Sequence, residues 1–233
     1  MDGSPVDIPM IKTPRGLLFP RDTDVVKPRI AAALRQGMYE AKEGNAVLRV
    51  IQPDDVVMEL GGGIGFISTL VAKKSPAAAV HSFEANSALA AYIARVHEIN
   101  EITNATVHHA LLGKRKGKAE FHVRGNFLAS SVDADNAEGV TRTETVDVLN
   151  ANQQIKEIKP TVLVCDIEGN EAELLPEMDL SSLRAAVIEL HPQWIGPEGV
   201  NAVFGALMGA GLAYYPKLST QKVVTFRRAW PLK

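Results

Sequence analysis

Short apolar runs alternate with segments of helical periodicity along most of the chain. Apolar runs of strand length predict strands at Val56–Leu60, Val80–Phe83, Thr106–Leu112, Thr161–Cys165 and Ala185–Leu190. Periodic segments between and after them predict helices at Phe66–Lys74, Ala88–Asn100, Ala151–Glu157, Glu171–Met178 and Val200–Met208. Such alternation is typical of an α/β fold, in which a mostly parallel sheet carries helices on both faces. Because ligands bind beyond the carboxyl ends of parallel strands, the residues that follow each strand are the first candidates for chemistry.

Both ends and the middle of the chain depart from this alternation. Residues 1–28 are rich in Pro, Asp and Lys without any period, which predicts an extended arm. Pro28 then opens a predicted helix from Arg29 to about Glu43. Paired strands are predicted in the middle and at the end of the chain: Lys118–Val123 with Thr143–Val148, and Leu212–Tyr215 with Lys222–Arg227.

Length and composition indicate one α/β domain. The chain has 233 residues, of which 46% are hydrophobic, and a net charge of −2. We expect residues 1–45 to form an arm and helix that pack on a ligand-binding domain of residues 46–233. The balanced charge argues against nucleic acid as the main partner. A single cysteine, no secretory signal and no run of membrane-spanning length favour a cytoplasmic protein without a membrane partner.

The most specific local pattern is a glycine loop between the first predicted strand and its helix. Glu59, Gly61, Gly63 and Gly65 form an acid-x-Gly-x-Gly-x-Gly pattern. Glycines let a backbone turn tightly and approach a ligand closely. A dinucleotide loop would require a third glycine where Phe66 stands, and a phosphate-binding loop would end in Gly-Lys-Ser/Thr, which is absent. The pattern that remains resembles the first motif of class I methyltransferases, and this resemblance implies S-adenosylmethionine, a cofactor without a phosphate group.

A second signal supports this interpretation. Glu84 stands at the end of the second predicted strand, about twenty residues after the glycine loop. A carboxylate at that place in an α/β sheet can accept hydrogen bonds from both hydroxyls of a ribose. We therefore expect Glu84 to hold the sugar of a nucleoside.

Two further blocks resemble the FkbM family of class I methyltransferases. They are Val164–Leu175, which contains Asp-Ile-Glu-Gly-Asn-Glu, and Val187–Pro192. The resemblance extends from Val56 to Pro192, with a short upstream match at Gly37–Glu40. It implies a Rossmann-like fold with a mostly parallel seven-stranded sheet and a terminal antiparallel strand. It also implies S-adenosylmethionine as cofactor and O-methylation of hydroxyls on sugars or other small molecules.

The chain departs from the usual family pattern at four positions. The family shows Asp, Ala and Asn where this chain has Glu59, Gly62 and Gly63, and Pro where it has Ala85. These departures bear on the substrate class more than on the cofactor.

Site residues follow from these motifs and from the resemblance. The expected cofactor-binding residues are Glu59, Gly61, Gly63, Ile64, Gly65, Glu84, Ala85, Asn86, Leu111 and Asp166. The expected catalytic residues are Asp166, Glu168 and His191. Asp166 would offset the sulfonium charge and orient an acceptor hydroxyl, and His191 would take its proton. These residue types could hold a divalent ion, but their spacing matches no recognised metal motif, so we expect a mechanism without a metal.

Alternative functions stay open at this point. The chain could methylate a nitrogen of a small molecule or peptide, or it could bind the cofactor without turnover. A nicotinamide dehydrogenase is disfavoured by Phe66. We expect a small-molecule acceptor, and we expect the polar loop Arg124–Arg142 to gate its site.

Overall fold

A seven-stranded sheet lies at the centre of the computed structural model, which describes residues 9–124 and 140–229. Its strands lie in the order β11-β12-β10-β9-β3-β4-β5, and β12 alone runs antiparallel to the rest. The described strands are β1 (Met10–Lys12), β2 (Leu18–Pro20), β3 (Val56–Leu60), β4 (Ala79–Glu84), β5 (Ala105–His109), β6 (Leu111–Gly113), β7 (Gly117–Arg124), β8 (Val140–Asn150), β9 (Val162–Cys165), β10 (Ala185–Glu189), β11 (Ala213–Tyr214) and β12 (Val223–Arg227). The helices are α1 (Pro28–Gln36), α2 (Ala41–Val50), α3 (Phe66–Lys74), α4 (Ser87–Ile99), α5 (Ala151–Ile158), α6 (Glu171–Leu174) and α7 (Pro192–Gly209). The predicted mostly parallel sheet with an antiparallel strand at the end of the chain is confirmed.

Successive residues of the central strands point to opposite faces of the sheet, and both faces are buried. On β3, Val57 joins the core that contains α1 to α4, whereas Met58 joins the core that contains α5 and α7. The neighbouring Val162 and Leu163 of β9 divide in the same way. Continuous apolar runs are therefore the expected sequence of these strands, because no face is left to water.

The N-terminal segment is a packed hairpin, so the extended arm predicted for residues 1–28 is wrong for residues 10–20. β1 and β2 pair antiparallel, and Ile11, Leu17 and Phe19 are fully buried. The side chain of Asn100, at the end of α4, binds both the amide and the carbonyl of Leu18. The apolar positions of this hairpin are too few and too close to show a period in the sequence.

The predicted helix Arg29–Glu43 is two helices. α1 ends at Gly37, whose φ of 69° caps the helix in the left-handed conformation, and α2 begins after Glu40, whose φ of 43° is also left-handed. The left-handed position that ends a helix is commonly occupied by glycine, as it is here at Gly37. The break places Tyr39 and Glu40 beside the carboxyl ends of the central strands, and α2 extends beyond the predicted end to Val50.

A separate three-stranded sheet accounts for the middle of the chain. The predicted strand Thr106–Leu112 divides at Ala110, because β5 pairs with β4 whereas β6 pairs with β8. The predicted pairing of Lys118–Val123 with Thr143–Val148 is confirmed by the antiparallel register of β7 and β8. The loop expected to gate the site, Arg124–Arg142, lies outside the described residues over 125–139. Within the described ranges, no helix combines the length and apolar character needed to cross a bilayer.

Candidate active site

A cavity of about 900 Å³ opens at the carboxyl ends of β3, β4, β9 and β10. It extends between the central sheet and the smaller sheet of β6, β7 and β8. Seven carboxylate side chains among the described residues line it, against one basic side chain, Lys114. The seven are Glu40, Glu84, Asp166, Glu168, Glu173, Glu177 and Glu189.

The glycine loop forms one wall of this cavity. Gly61 and Gly63 line it, and both have positive φ, at 83° and 54°. A side chain at Gly61 would place its Cβ 1.8 Å from the carbonyl oxygen of Asp166. Gly61 therefore lets the loop after β3 lie directly against the loop after β9, which brings two parts of the site together.

Glu84 lies at the base of the cavity and is 6% exposed. Its carboxylate accepts hydrogen bonds from the amide of Gly63 at 2.9 Å and from the amide of Asn86 at 2.8 Å. Burial raises the pKa of Glu84 to about 7, against the effect of these amides. Glu84 therefore ties the glycine loop to the end of β4 while it faces the ligand space beside Ala85 and Leu111, which also line the cavity.

Four expected cofactor residues lie behind the cavity wall. Ile64 is fully buried in the core, and Gly65 caps α3 with a φ of 77°. Asn86 is fully buried, and its side chain caps α4 by accepting from the amides of Ala88 and Leu89. Glu59 is 2% exposed, and one carboxylate oxygen accepts from the amide of Ser68. The structure gives these four residues contacts that position the loop and the helices.

The expected catalytic residues converge at the ends of β9 and β10. Asp166 and Glu168 line the cavity, with about a third of each side chain exposed. The Nε2 atom of His191 lies 3.5 Å from Asp166 and 3.3 Å from Glu168. His191 itself is 3% exposed and stands behind these carboxylates, away from the cavity wall.

Glu171 holds the imidazole in place. Its carboxylate is fully buried and accepts from the backbone amide of His191 at 2.9 Å, and the same oxygen lies 3.2 Å from the Nδ1 atom of the ring. The second oxygen accepts from the amide of Gly169. Glu171 lies in the first turn of α6, where a carboxylate interacts favourably with the helix dipole. It also contacts His191, which follows β10.

Crowding of acids shifts the pKa values of this group. Burial, with Glu189 and Glu168 nearby, raises the pKa of Asp166 to about 8. Burial alone would lower the pKa of His191, but the hydrogen bond to Glu171 and the carboxylates of Glu168 and Asp166 raise it to about 9. Like charges held close together disfavour full ionisation, so the cluster keeps protons near neutral pH unless a cation is present.

Three residues of the site were missed by the sequence-based assignment. Tyr39 and Glu40 line the cavity from the break between α1 and α2, and Glu189 lines it from the end of β10. Burial, with Asp166 nearby, raises the pKa of Glu40 well above its ordinary value. The sequence does place Glu189 on the same face of its strand as His191, because the two are two residues apart. Tyr39 and Glu40 come from outside the alternating pattern, and only the fold brings them here.

The cavity suits a nucleoside that carries positive charge. The Oδ1 atom of Asp166 is buried and makes no hydrogen bond among the described residues, and its contact with the Nε2 atom of His191 is long, at 3.5 Å. Glu84 offers a carboxylate for ribose hydroxyls, and the excess of acids favours a sulfonium and an ammonium group. The residues present therefore fit S-adenosylmethionine, with Glu84, Gly61 and Gly63 at the nucleoside and Asp166 toward its charged end.

Solved structures share the fold. TYW2 from M. jannaschii, solved in complex with AdoMet, is 14% identical, with 92% of this chain and 84% of that chain aligned and a TM-score of 0.50. Trm5b from Pyrococcus abyssi is also 14% identical and has a TM-score of 0.50, with 97% of this chain and 57% of that chain aligned. No curated protein matches the sequence significantly.

Sequence comparison identifies the family. The profile of the methyltransferase FkbM domain matches residues 55–209, which is more than half of the chain. That range contains the glycine loop, Glu84 and the Asp166–Glu171 block, which are the segments that form the cavity wall. The chain therefore belongs to the FkbM family of methyltransferases, and its methyl donor is S-adenosylmethionine.

Proposed function

We propose that the chain methylates a hydroxyl oxygen on a small, uncharged polar molecule such as a sugar. The observation that carries this proposal is the carboxylate-rich end of the cavity, where Asp166, Glu168 and Glu189 face one space. Carboxylates accept hydrogen bonds from hydroxyls and can take a proton from one of them.

The size of the cavity supports a small acceptor. At about 900 Å³ it lies in the upper part of the range typical of small-molecule sites, roughly 300 to 1,000 Å³. A cofactor and a small acceptor can therefore share it, held side by side between the two sheets.

Charge argues against a polyanionic acceptor. Phosphate groups need basic side chains, and Lys114 is the single basic residue among the described cavity residues. Lys114 is moreover paired with Glu177 at 2.8 Å. The segment 125–139 contains three acidic residues and neither Lys nor Arg. Nucleic acid is thus a poor match for this chain.

Each side chain at the acceptor end has a distinct part in the proposal. When bound, the cofactor supplies an electrophilic methyl group, which passes to the acceptor oxygen as the carbon–sulfur electron pair returns to sulfur. Asp166 orients the acceptor hydroxyl. Glu168, which lines the cavity, accepts its proton. Most of the rate then comes from holding the oxygen at the correct distance and angle.

The role that we propose for His191 differs from the general base expected from the sequence. Its ring is 3% exposed and stands behind the two carboxylates that face the cavity. A proton acceptor has to reach the acceptor oxygen directly or through one water molecule. We therefore propose that His191 is a positioning residue, which holds Asp166 and Glu168 through its Nε2 atom.

Turnover of a Glu168→Gln variant tests the proposed proton acceptor. We expect the variant to lose about 10²- to 10⁴-fold in turnover, the usual contribution of general base catalysis, with cofactor affinity unchanged. The exposed Glu120→Gln variant, on β7, is the matched control. Full activity of Glu168→Gln would rule out Glu168 as the proton acceptor.

The acceptor class needs a direct product assay. Purified protein is incubated with methyl-¹³C cofactor and separate panels of sugars and other polyols, amines, and RNA, and the product carbon is identified by NMR. A methyl ether on a polyol supports the proposal. Cofactor binding without product on any panel would instead indicate a binding protein.

N-methylation is a second candidate, and the same acidic wall favours it. A protonated amine would be attracted by Asp166, Glu168 and Glu189, although it must lose a proton before it reacts. An N-methyl carbon in the product panel, without a methyl ether, would replace the first proposal with this one.

A further inference from the structure

A second, much smaller cavity lies next to the large one. It has a volume of about 20 Å³, which is room for one water-sized particle. Five carboxylate side chains line it: Glu40, Glu43, Glu59, Asp166 and Glu189. No basic side chain is among its described lining residues. Asp166 and Glu189 line both cavities, so the two share a wall.

Asp166 and Glu189 of this wall offer metal-ligating atoms together with His191, which lies behind it. One atom each from Asp166, Glu189 and His191 lies within 4.8 Å of the others. Ligands about 2.1 Å from a cation stand about 3 to 4.2 Å apart, so small side-chain rotations would complete the geometry. The donors come from the ends of adjacent parallel strands, β9 and β10, which hold them on a rigid frame.

His191 is arranged as metal-binding histidines usually are. Its Nδ1 atom faces the buried carboxylate of Glu171 at 3.2 Å, and its Nε2 atom faces the acidic cluster. In metal sites the second ring nitrogen commonly donates to a carboxylate, which fixes the tautomer and aims the other nitrogen at the ion.

Glu59 supplies an independent observation. It is 2% exposed and lines the small cavity. One of its oxygens accepts from the amide of Ser68 at 3.1 Å, but Oε2 has no hydrogen bond of normal geometry among the described residues, and the hydroxyl of Ser82 is the polar group beside the carboxylate. An unpaired carboxylate oxygen in a buried acidic cavity is costly unless a proton or a cation compensates it.

We propose that Asp166, Glu189 and His191 bind one divalent cation, Mg²⁺ or Mn²⁺, beside the wall between the two cavities, where the ion replaces the contacts that the Nε2 atom of His191 makes with Asp166 and Glu168 in its absence. Carboxylate oxygens suit both of these ions, and the single imidazole favours Mn²⁺ over Mg²⁺. Glu59, Glu40 and Glu43 surround the site with further carboxyl groups. The proposal departs from the metal-free mechanism expected from the sequence, because the spacing of these residues along the chain does not reveal their convergence.

The proposed cation narrows the chemical class of the acceptor. In this part the inference rests on the proposed O-methylation. An ion held by Asp166 and Glu189 borders the large cavity and binds the acceptor hydroxyl together with a neighbouring oxygen of the same molecule. Coordination lowers the pKa of that hydroxyl, and the proton passes to Glu168, which lies outside the donor set. The acceptor class is then a vicinal diol or a hydroxyl beside a carbonyl.

Mn²⁺ binding to the full chain tests the site without any acceptor. Protein treated with chelator and dialysed is titrated with Mn²⁺, and free Mn²⁺ is followed by electron paramagnetic resonance. We expect one saturable site, weakened at least tenfold in Asp166→Asn and Glu189→Gln. We expect a 10- to 100-fold loss in Glu171→Gln, which acts through His191. Glu120→Gln should bind like the wild type.

Two readouts keep a negative result informative. Circular dichroism and the free energy of unfolding in urea show whether each variant is folded, and a misfolded variant is replaced by the other carboxylate variant. Absence of saturable Mn²⁺ binding to the folded wild type, or equal affinity in all folded variants, overturns the site.

Activity assays separate this inference from the proposed function. A methyl ether formed by protein that binds no Mn²⁺ would overturn the cation site and leave the proposed function standing. Mn²⁺ binding with an N-methyl product alone would overturn the proposed function and leave the site standing. Full O-methylation after chelation, by protein that binds Mn²⁺, would overturn activation of the hydroxyl by the ion.

Discussion

Glu84 shows how a single residue can serve both the fold and the ligand. It follows β4, and its two oxygens accept from the amides of Gly63 and Asn86, which belong to two different loops. The carboxylate nonetheless faces the cavity. The position of Glu84 was predicted from the sequence because an acid at this strand end, at this distance from a glycine loop, is a local signal. Its two backbone contacts depend on the tertiary structure.

Replacing Glu84 should weaken cofactor binding. We expect Glu84→Ala to cost about 1.5 to 3 kcal/mol of cofactor affinity, the scale of hydrogen bonds to a charged group. Because burial raises the pKa of Glu84 to about 7, affinity should also fall as the pH is lowered through 7 and the carboxylate takes up a proton. Calorimetry between pH 6 and about 8.5 measures both effects.

A matched variant controls for the loss of a carboxylate. Glu98→Gln, exposed on α4, should bind the cofactor like the wild type at every pH. Unchanged affinity in a folded Glu84→Ala protein would contradict the assignment of Glu84 to the ribose.

At the scale of elements, the site depends on how closely two loops approach each other. The amides of Gly61 and Gly62 both donate to the carbonyl of Phe83, which draws the loop after β3 toward β4. On the other side, Gly61 lies against the backbone of Asp166 at the end of β9. The sequence suggested that Gly61 makes room for a ligand. In the structure it first makes room for the neighbouring loop that carries Asp166 and Glu168.

Gly61→Ala should therefore disturb the protein even without ligand. The Cβ atom would stand 1.8 Å from the carbonyl oxygen of Asp166, and the φ of 83° disfavours any side chain. The left-handed conformation alone costs about 1 to 2 kcal/mol, and displacement of the Asp166 loop adds to this. We expect a lower free energy of unfolding in urea and a strong loss of turnover.

Gly117→Ala is the control for this change. A Cβ at Gly117 on β7 would meet no heavy atom within 4 Å, so its stability should stay within about 0.5 kcal/mol of the wild type. Equal free energies of unfolding for the two variants would show that the loop after β3 can move to accommodate a side chain without loss of stability.

For the whole molecule, a polar cluster joins the amino ends of the central strands, opposite the active site. Asp55 precedes β3, Thr161 precedes β9 and Arg184 precedes β10. Asp55 accepts from the hydroxyl of Thr161 at 2.7 Å and from the Nε atom of Arg184 at 2.7 Å, and it forms an ion pair with the same guanidinium. Its side chain is 4% exposed. The cluster links β3 to β9 and β10, which follow it by more than a hundred residues in the chain.

Loss of this cluster should lower stability strongly. Removing one partner of a buried ion pair typically costs about 3 to 5 kcal/mol, so Asp55→Ala should show this loss in urea denaturation at pH 7. Asp147→Asn removes the partner of Lys118 in a pair that is 73% and 66% exposed, and it should cost less than about 1 kcal/mol. A similar small cost for Asp55→Ala would show that the cluster is not needed for stability.

Acid should weaken the same contact. Burial opposes ionisation of Asp55, but the hydrogen bonds from Arg184, Gln52 and Thr161 outweigh it and hold the pKa below its usual 3.8. The stabilisation is therefore complete above the unfolded pKa of about 4 and is lost as the pH falls through the lower folded pKa. Urea denaturation at pH 7 and at about pH 3 should show a steeper acid loss in the wild type than in Asp55→Asn.

Local sequence determined much of the fold. The central strands β3, β4, β9 and β10 and the helices that follow them were predicted from apolar runs and periodic segments, because both faces of the central sheet are buried. The glycine loop, Glu84 and the block from Asp166 to Glu171 were recognised because each is a short motif at the end of a strand. Such signals depend on neighbouring residues alone, and a sequence displays them directly.

The tertiary structure decided which side chains meet and how deeply each of them is buried. The hairpin of residues 10–20 and the break before Glu40 depend on packing against α4 and the sheet. No local periodicity in the sequence therefore predicts them. Glu40 meets Asp166 across 126 positions of the chain, and Glu171 meets His191 across 20. Spacing along a strand places a residue at the strand end, but it does not say which side chain reaches the cavity and which stands behind it. That is settled by contacts between elements distant in sequence, because their packing directs each side chain.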